Sequence, residues 1–97
     1  MSHIPQKLIP NQESERVSMI RQLLQVAFLP TLLEITDNSQ QHAGHASAGG
    51  AGHFAVRIRA SAFAGKTPLQ CHRQIYAALD CLMGSEIHAL TIDAAAI

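Results

Sequence analysis

The first regular hydrophobic pattern in the chain begins after residue 14. Apolar residues recur there every three or four positions, at Val17, Ile20, Leu23, Leu24, Ala27 and Phe28. Because residues at this spacing share one face of a helix, the pattern predicts an amphipathic helix. Asn11 or Ser14 can cap its start, and Pro30 ends it because the proline ring clashes with helix continuation.

Two strands joined by a long loop are predicted next. Residues 32–36 form a short β-prone run, and residues 54–60 alternate, with Phe54, Val56, Ile58 and Ala60 on one face. Such alternation is typical of a strand with one buried side. Residues 40–52 are rich in glycine and alanine and have no periodic apolar face, so they are interpreted as a loop. The two strands are therefore expected to pair as a hairpin.

A second helix has a strong start signal. Thr67 is expected as N-cap, Pro68 at the first helical position and Gln70 as the residue that completes a capping box. Gly84 is expected to end the helix. The predicted apolar stripe comprises Leu69, His72, Tyr76, Leu79 and Met83, with Ile75 and Leu82 beside it.

A third strand completes the pattern. Residues 87–92 are predicted to be extended, with His88, Leu90 and Ile92 on one side. The element order is then α-β-β-α-β, which predicts an α+β fold: a three-stranded mixed sheet with both helices packed on one face. The expected boundaries are a flexible N-terminal tail over residues 1–13, a domain over 14–93 and a C-terminal tail over 94–97.

Charge and length limit the classes of partner. The chain has 97 residues, enough for one domain, and a net charge of zero, so no global attraction to nucleic acid or membranes is expected. No acid occurs between Asp37 and Asp80, and four bases fall in that interval: Arg57, Arg59, Lys66 and Arg73. They predict a local basic face that can contact nucleic-acid phosphates, with a solvated charged face as the alternative.

The two cysteines and the lack of long apolar segments bear on where in the cell the protein is expected. Cys71 and Cys81 would lie about 15 Å apart along one helix, too far for a disulfide. Two unpaired thiols are typical of a reducing environment. Residues 1–12 lack the apolar core of a secretory signal, and no segment approaches the ~20 apolar residues of a membrane span. A cytoplasmic protein without membrane association is expected.

The six histidines are the main candidate chemistry. His42 and His45 fall in the predicted loop, His53 opens the second strand and His88 opens the third. A neutral imidazole is a good metal ligand, so His45 and His88 can together hold one side of a metal centre that a partner completes. Solvated or structural histidines are the alternative. Neither C-x-x-C nor H-E-x-x-H occurs, which argues against a self-contained zinc site.

Catalytic constellations are not found in the sequence. Cys71 and His72 are adjacent, but neighbours on a helix point about 100° apart. Gly65-Lys66-Thr67 resembles the end of a phosphate-binding loop, yet Ala60 stands where that motif needs glycine. The chain is therefore predicted to be a binding protein rather than an enzyme, with no cofactor when isolated.

Several short segments between about residues 20 and 92 form an ordered set. They are FLP at 28–30, LEI at 33–35, DNS at 37–39, His45, HF at 53–54, FAGK at 63–66, HRQIY at 72–76 and IHAL at 87–90. Their order and spacing resemble those of the BolA family. Cys71 departs from the family, which usually has arginine there, and the loop between His45 and His53 is about one residue short.

The resemblance implies a fold similar to class II KH domains and partnership with a monothiol glutaredoxin. The two proteins would share a 2Fe–2S cluster in iron homeostasis or cluster trafficking. It assigns the fixed ligand to His88 and the loop ligand to His45, with His42 as the substitute. A glutaredoxin cysteine and a glutathione thiol would complete the site. The resemblance also implies, as the alternative function, a DNA-binding transcriptional regulator of stress response and cell morphology. The free protein is expected to be a monomer or weak homodimer.

Overall fold

A computed structural model describes residues 13–39 and 50–97 of the chain. Its elements are α1 (Glu15–Phe28), β1 (Leu32–Asp37), β2 (Gly52–Arg59), α2 (Pro68–Ala78) and β3 (Ile87–Ala95). Short 3₁₀ turns occur at Ser61–Phe63 and Asp80–Leu82. The predicted α-β-β-α-β order is confirmed.

The three strands form one mixed sheet in the order β1-β2-β3. β1 pairs with β2 in the antiparallel sense, and β2 pairs with β3 in the parallel sense. On β2 the side chains of Phe54, Val56 and Ile58 are buried. They share one core cluster with buried residues of both helices, namely Val17, Ile20 and Leu24 of α1 and Cys71 and Ile75 of α2, together with Leu79 directly after α2. The helices therefore cover one sheet face, as predicted.

Helix α1 begins and ends where its sequence indicates. The Ser14 hydroxyl oxygen accepts a hydrogen bond from the Val17 amide at 3.2 Å, so Ser14 is the N-cap. Leu29 adopts a left-handed conformation (φ 48°), and its amide donates to the Gln25 carbonyl at 3.0 Å. Pro30 follows directly, so the chain turns away into β1.

Helix α2 starts as predicted but buries a different face. The capping box is present: the Gln70 amide donates to Thr67 Oγ1 at 3.1 Å, and the Thr67 amide donates to Gln70 Oε1 at 2.9 Å. The predicted stripe is wrong at Leu69, which is 58% exposed, and at Tyr76, which is 38% exposed. The buried face instead follows Cys71, Ile75 and Leu79, because the thiol packs as a small hydrophobe four residues before Ile75. The helix ends at Ala78, before Gly84.

Strand β3 contains a register shift at its start. Gly52 pairs with Ile87, but the next residue of β2, His53, pairs with Ala89. His88 is the additional residue, as in a β-bulge. The prediction that His88 shares a side with Leu90 and Ile92 is therefore wrong: those two pack against the core, whereas His88 is exposed.

The end of β3 also differs from the sequence prediction. The strand continues to Ala95, because residues 93–95 pair with residues 57–59 of β2. It thus includes two residues of the predicted C-terminal tail. Most of the predicted N-terminal tail, residues 1–12, lies outside the described residues. Neither helix in the described part of the chain has the length and apolar character needed to cross a membrane.

An ion pair joins Glu13, just before α1, to Arg21 within the helix. Arg21 Nη2 lies 2.9 Å from Glu13 Oε1, and Arg21 Nη1 also donates to the Leu33 carbonyl of β1 at 3.3 Å. The hydrogen bond from Arg21 lowers the pKa of Glu13 below its ordinary value of 4.5, because it favours the charged carboxylate.

We expect Glu13→Gln to lower the free energy of unfolding at neutral pH by less than about 1 kcal/mol, since this pair is partly solvated. A lowered pKa in the folded state stabilises the fold above pH 4.5, and that contribution is lost as pH falls through the folded-state value. The difference between wild type and variant should therefore shrink below pH 4.5. Urea unfolding at a series of pH values measures it, and a difference that persists unchanged in acid would contradict the assignment.

Candidate functional site

The candidate site lies where the first residues of β2 and β3 meet. The imidazole rings of His53 and His88 have centroids 5.1 Å apart, with their planes inclined by 57°. His53 is half-buried, and His88 is exposed. Ile87, immediately before His88, is fully buried and anchors the strand, so the bulge directs His88 out of the core.

Backbone hydrogen bonds fix the surroundings of these two rings. The Gly52 amide donates to the Glu86 carbonyl at 3.0 Å, which holds the start of β2 against the turn before β3. The His53 amide donates to Ser39 Oγ at 3.1 Å, and the Asn38 amide donates to the His53 carbonyl at 2.7 Å. The start of the β1–β2 connection therefore lies beside His53, at the sheet edge where β2 and β3 both begin.

Gly52 is required at this position by its close neighbours. A Cβ atom there would overlap Ser39 Oγ and would lie within 2.9 Å of two carbon atoms of the Phe54 ring. Ser39 Oγ already accepts the His53 amide hydrogen bond, so it cannot move away without breaking that bond. The absence of a side chain at residue 52 thus allows Ser39 Oγ and the Phe54 ring to lie close to the backbone there.

The predicted loop ligands are His42 and His45. His42 and His45 belong to residues 40–49, which lie outside the described residues. Their role as ligands therefore stays a prediction.

His53 is a site residue that the sequence interpretation did not include among the candidate ligands. Its proximity to His88 depends on the pairing of two strands more than thirty residues apart in sequence, together with the register shift. A sequence signal does exist, because each histidine opens a predicted strand and the first residues of parallel strands lie at the same sheet edge.

The predicted basic residues lie on two separate surfaces. Arg57 and Arg59 project from the sheet face opposite the helices and form ion pairs there. Arg57 Nη1 lies 3.4 Å from Glu34 Oε1 of β1, and Arg59 Nη2 lies 3.2 Å from Asp93 Oδ1 of β3. The sequence interval without acids does not reveal this pairing, because the acids come from the neighbouring strands.

Lys66 and Arg73 lie elsewhere: Lys66 is in the turn before α2, and Arg73 is in the first half of that helix. Together with Ala64, Gly65, Gln70 and Gln74 they line a recess. Arg57 and Arg59 do not line it, so the four cations do not form one basic face. Their assignment to nucleic-acid binding stays a prediction, and the two pairs differ in how accessible their charges are.

Comparison with known proteins identifies the family. The family described as BolA-like protein matches residues 24–97. The chain is 46% identical over 79 residues to SufE-like protein 1, chloroplastic/mitochondrial, of Arabidopsis thaliana, covering 75% of this chain and 21% of that protein. It is 41% identical over 75 residues to human BolA-like protein 1, covering 77% of this chain and 53% of that protein. The chain thus spans 53% of the length of the human relative and 21% of the length of the plant relative.

A bacterial relative and a solved structure extend the comparison. The DNA-binding transcriptional regulator BolA of Escherichia coli (strain K12) is 36% identical over 73 residues, covering 75% of this chain and 68% of that protein. The solved BolA domain of SufE1 from Arabidopsis thaliana superposes with a TM-score of 0.77 at 39% identity, covering 88% of this chain and 95% of that chain. With the family matched over most of its length and the fold shared, the chain belongs to the BolA family.

Proposed function

We propose that the chain is a binding protein that pairs with a monothiol glutaredoxin and shares a 2Fe–2S cluster with it, supplying His88 as a ligand. The observation that carries this proposal is an exposed imidazole, His88, beside His53 at the edge where the β1–β2 connection begins and ends. A neutral imidazole nitrogen binds iron well, and an exposed position leaves it open to a partner.

The donor atoms of this edge fit a cluster that two proteins share. Fe–S clusters are held mainly by thiolates, and in some centres two histidines replace two cysteines on one iron. His88 and a loop histidine, His45 or His42, would be this chain's ligands. Of the chain's two thiols, Cys71 is buried in the core. Cys81 is exposed. The family resemblance implies that a glutaredoxin cysteine and a glutathione thiol supply the remaining ligands. Bound there, the shared cluster would serve iron homeostasis or cluster trafficking.

The chain's own contribution is to hold the imidazole in place. Ile87 is buried, and the amide of Gly84 donates to its carbonyl at 2.8 Å, so the backbone next to His88 is fixed on both sides of the turn. The His53 and His88 rings lie side by side, with their centroids 5.1 Å apart. Because the backbone that carries the ligand is already ordered, binding a metal centre does not require the strand to become ordered.

Mixing with a cluster-loaded monothiol glutaredoxin tests the proposal. Visible circular dichroism should change on addition of the chain and saturate at one chain per glutaredoxin, because a histidine ligand replaces a ligand of the donor complex. Size-exclusion chromatography should show a heterodimer that carries the visible absorption. A spectrum equal to the sum of the separate proteins at every ratio would refute the partnership.

A second candidate function, binding DNA as a transcriptional regulator of stress response and cell morphology, is favoured by two observations. A relative at 36% identity is named a DNA-binding transcriptional regulator. Two exposed cations, Lys66 and Arg73, share one recess.

Unpaired thiols, Cys71 and Cys81, support a cytoplasmic location for either function.

A further inference from the structure

The lysine and arginine side chains of the described residues differ in one respect: some lie within ion-pair distance of a carboxylate, and others do not. Six lysine and arginine residues fall within residues 13–39 and 50–97, and four of them form ion pairs: Arg16 with Glu86, Arg21 with Glu13, Arg57 with Glu34 and Arg59 with Asp93. Within these residues, the side chains of Lys66 and Arg73 have neither an ion pair nor a hydrogen bond. Both belong to the same recess.

The recess has the character of an anion-binding surface. Lys66 and Arg73 are exposed, the other lining residues are Ala64, Gly65, Gln70 and Gln74, and none of these is acidic. Gly65, at φ 75°, has open space where a Cβ would stand, so the turn beside Lys66 is unobstructed.

The attraction comes from the two side chains rather than from the helix end. The Gln70 amide is already bonded to Thr67 Oγ1, the Thr67 amide to Gln70 Oε1, and Pro68 has no amide hydrogen. The start of α2 thus offers few free donors. A ligand would be held by the lysine ammonium and the arginine guanidinium, a pair that suits phosphate oxygens.

We propose that Lys66 and Arg73 form the phosphate-backbone contact of this chain with duplex DNA, and that Arg57 and Arg59 do not take part. The proposal rests on the second candidate function and names its contact residues. Arg57 and Arg59 would have to give up the carboxylates of Glu34 and Asp93 to bind phosphate, which reduces the net gain. Lys66 and Arg73 release only water and counterions, the usual source of affinity for DNA.

Two double variants with equal loss of charge test the assignment. Lys66→Gln with Arg73→Gln, and Arg57→Gln with Arg59→Gln, each remove two positive charges from the full chain. Fluorescence anisotropy with a labelled DNA duplex at low salt measures binding, and a salt series measures its electrostatic part. The first variant should bind at least about tenfold more weakly, and its slope of log K against log salt should be smaller by about 1.8, at about 0.9 for each phosphate contact. The second should stay within about twofold of wild type.

Three results would overturn the proposal. They are no binding by the wild type at low salt, an equal or larger loss in the Arg57 and Arg59 variant, and a salt slope unchanged in the Lys66 and Arg73 variant. The first removes DNA binding as a function, whereas the other two leave DNA binding in place and move it to other residues. Far-ultraviolet circular dichroism of both variants checks that each is folded. The assay contains neither glutaredoxin nor cluster, so its outcome is independent of the first proposed function.

Discussion

His88→Ala is expected to abolish the cluster-bridged complex with glutaredoxin while the isolated variant folds as the wild type does. Changes to residues that merely orient a metal ligand typically cost 10–100-fold, so loss of a ligand should weaken the bridged complex by at least about 10²-fold. The fold should survive because His88 is exposed and the strand is anchored by Ile87, which is fully buried. Titration of the cluster-loaded glutaredoxin, read by visible circular dichroism, measures the loss.

His72→Ala is the matched control for this experiment. His72 is a half-buried histidine on α2 and is not a member of the ring pair formed by His53 and His88. It should give the wild-type titration, since removal of an imidazole elsewhere leaves the proposed ligand intact. Thermal unfolding of both variants verifies that they are folded. If His88→Ala titrates like wild type, or if His72→Ala is equally impaired, residue 88 is not the ligand.

The largest stability effect is expected at Phe54, at the centre of the core. Its side chain is 1% exposed and lies on the central strand, between β1 and β3 and beneath both helices. Phe54→Ala should lower the free energy of unfolding by about 3–5 kcal/mol, because it removes buried apolar area and leaves a cavity. That is a large share of the 5–15 kcal/mol typical of whole domains. Urea unfolding followed by circular dichroism measures it.

Leu69→Ala provides the contrasting control. Leu69 belongs to the apolar stripe predicted from sequence, but it is 58% exposed on α2. Its truncation should change stability by about 0.5 kcal/mol or less, as expected for a surface site. A cost at Leu69 comparable to that at Phe54 would mean that α2 buries the face predicted from sequence rather than the face of Cys71 and Ile75.

The elements that depend on local sequence were the ones that could be predicted. Thr67, Pro68 and Gln70 specify the start of α2 within four residues, and the structure contains the corresponding capping box. The alternation of Phe54, Val56 and Ile58 specifies the buried face of β2 for the same reason: the period of two is a property of the strand itself.

Features that depend on contacts between distant segments could not be predicted. The ring contact of His53 with His88 requires the parallel pairing of β2 with β3 and one additional residue in β3. The ion pairs of Arg57 and Arg59 could not be predicted from sequence, because their acidic partners come from β1 and β3. The buried face of α2 was misassigned because cysteine gives a weak hydrophobic signal, although Cys71 is 2% exposed.

The most direct measurement of the central claim detects the ligand atom itself. The chain is labelled with ¹⁵N at its histidines and combined with unlabelled, cluster-loaded glutaredoxin, and the reduced complex is studied by pulsed electron paramagnetic resonance. We expect ¹⁵N couplings from directly bound imidazoles, and we expect the coupling that belongs to His88 to be missing from any complex that His88→Ala still forms. A wild-type complex that shows no histidine nitrogen coupling would contradict the account.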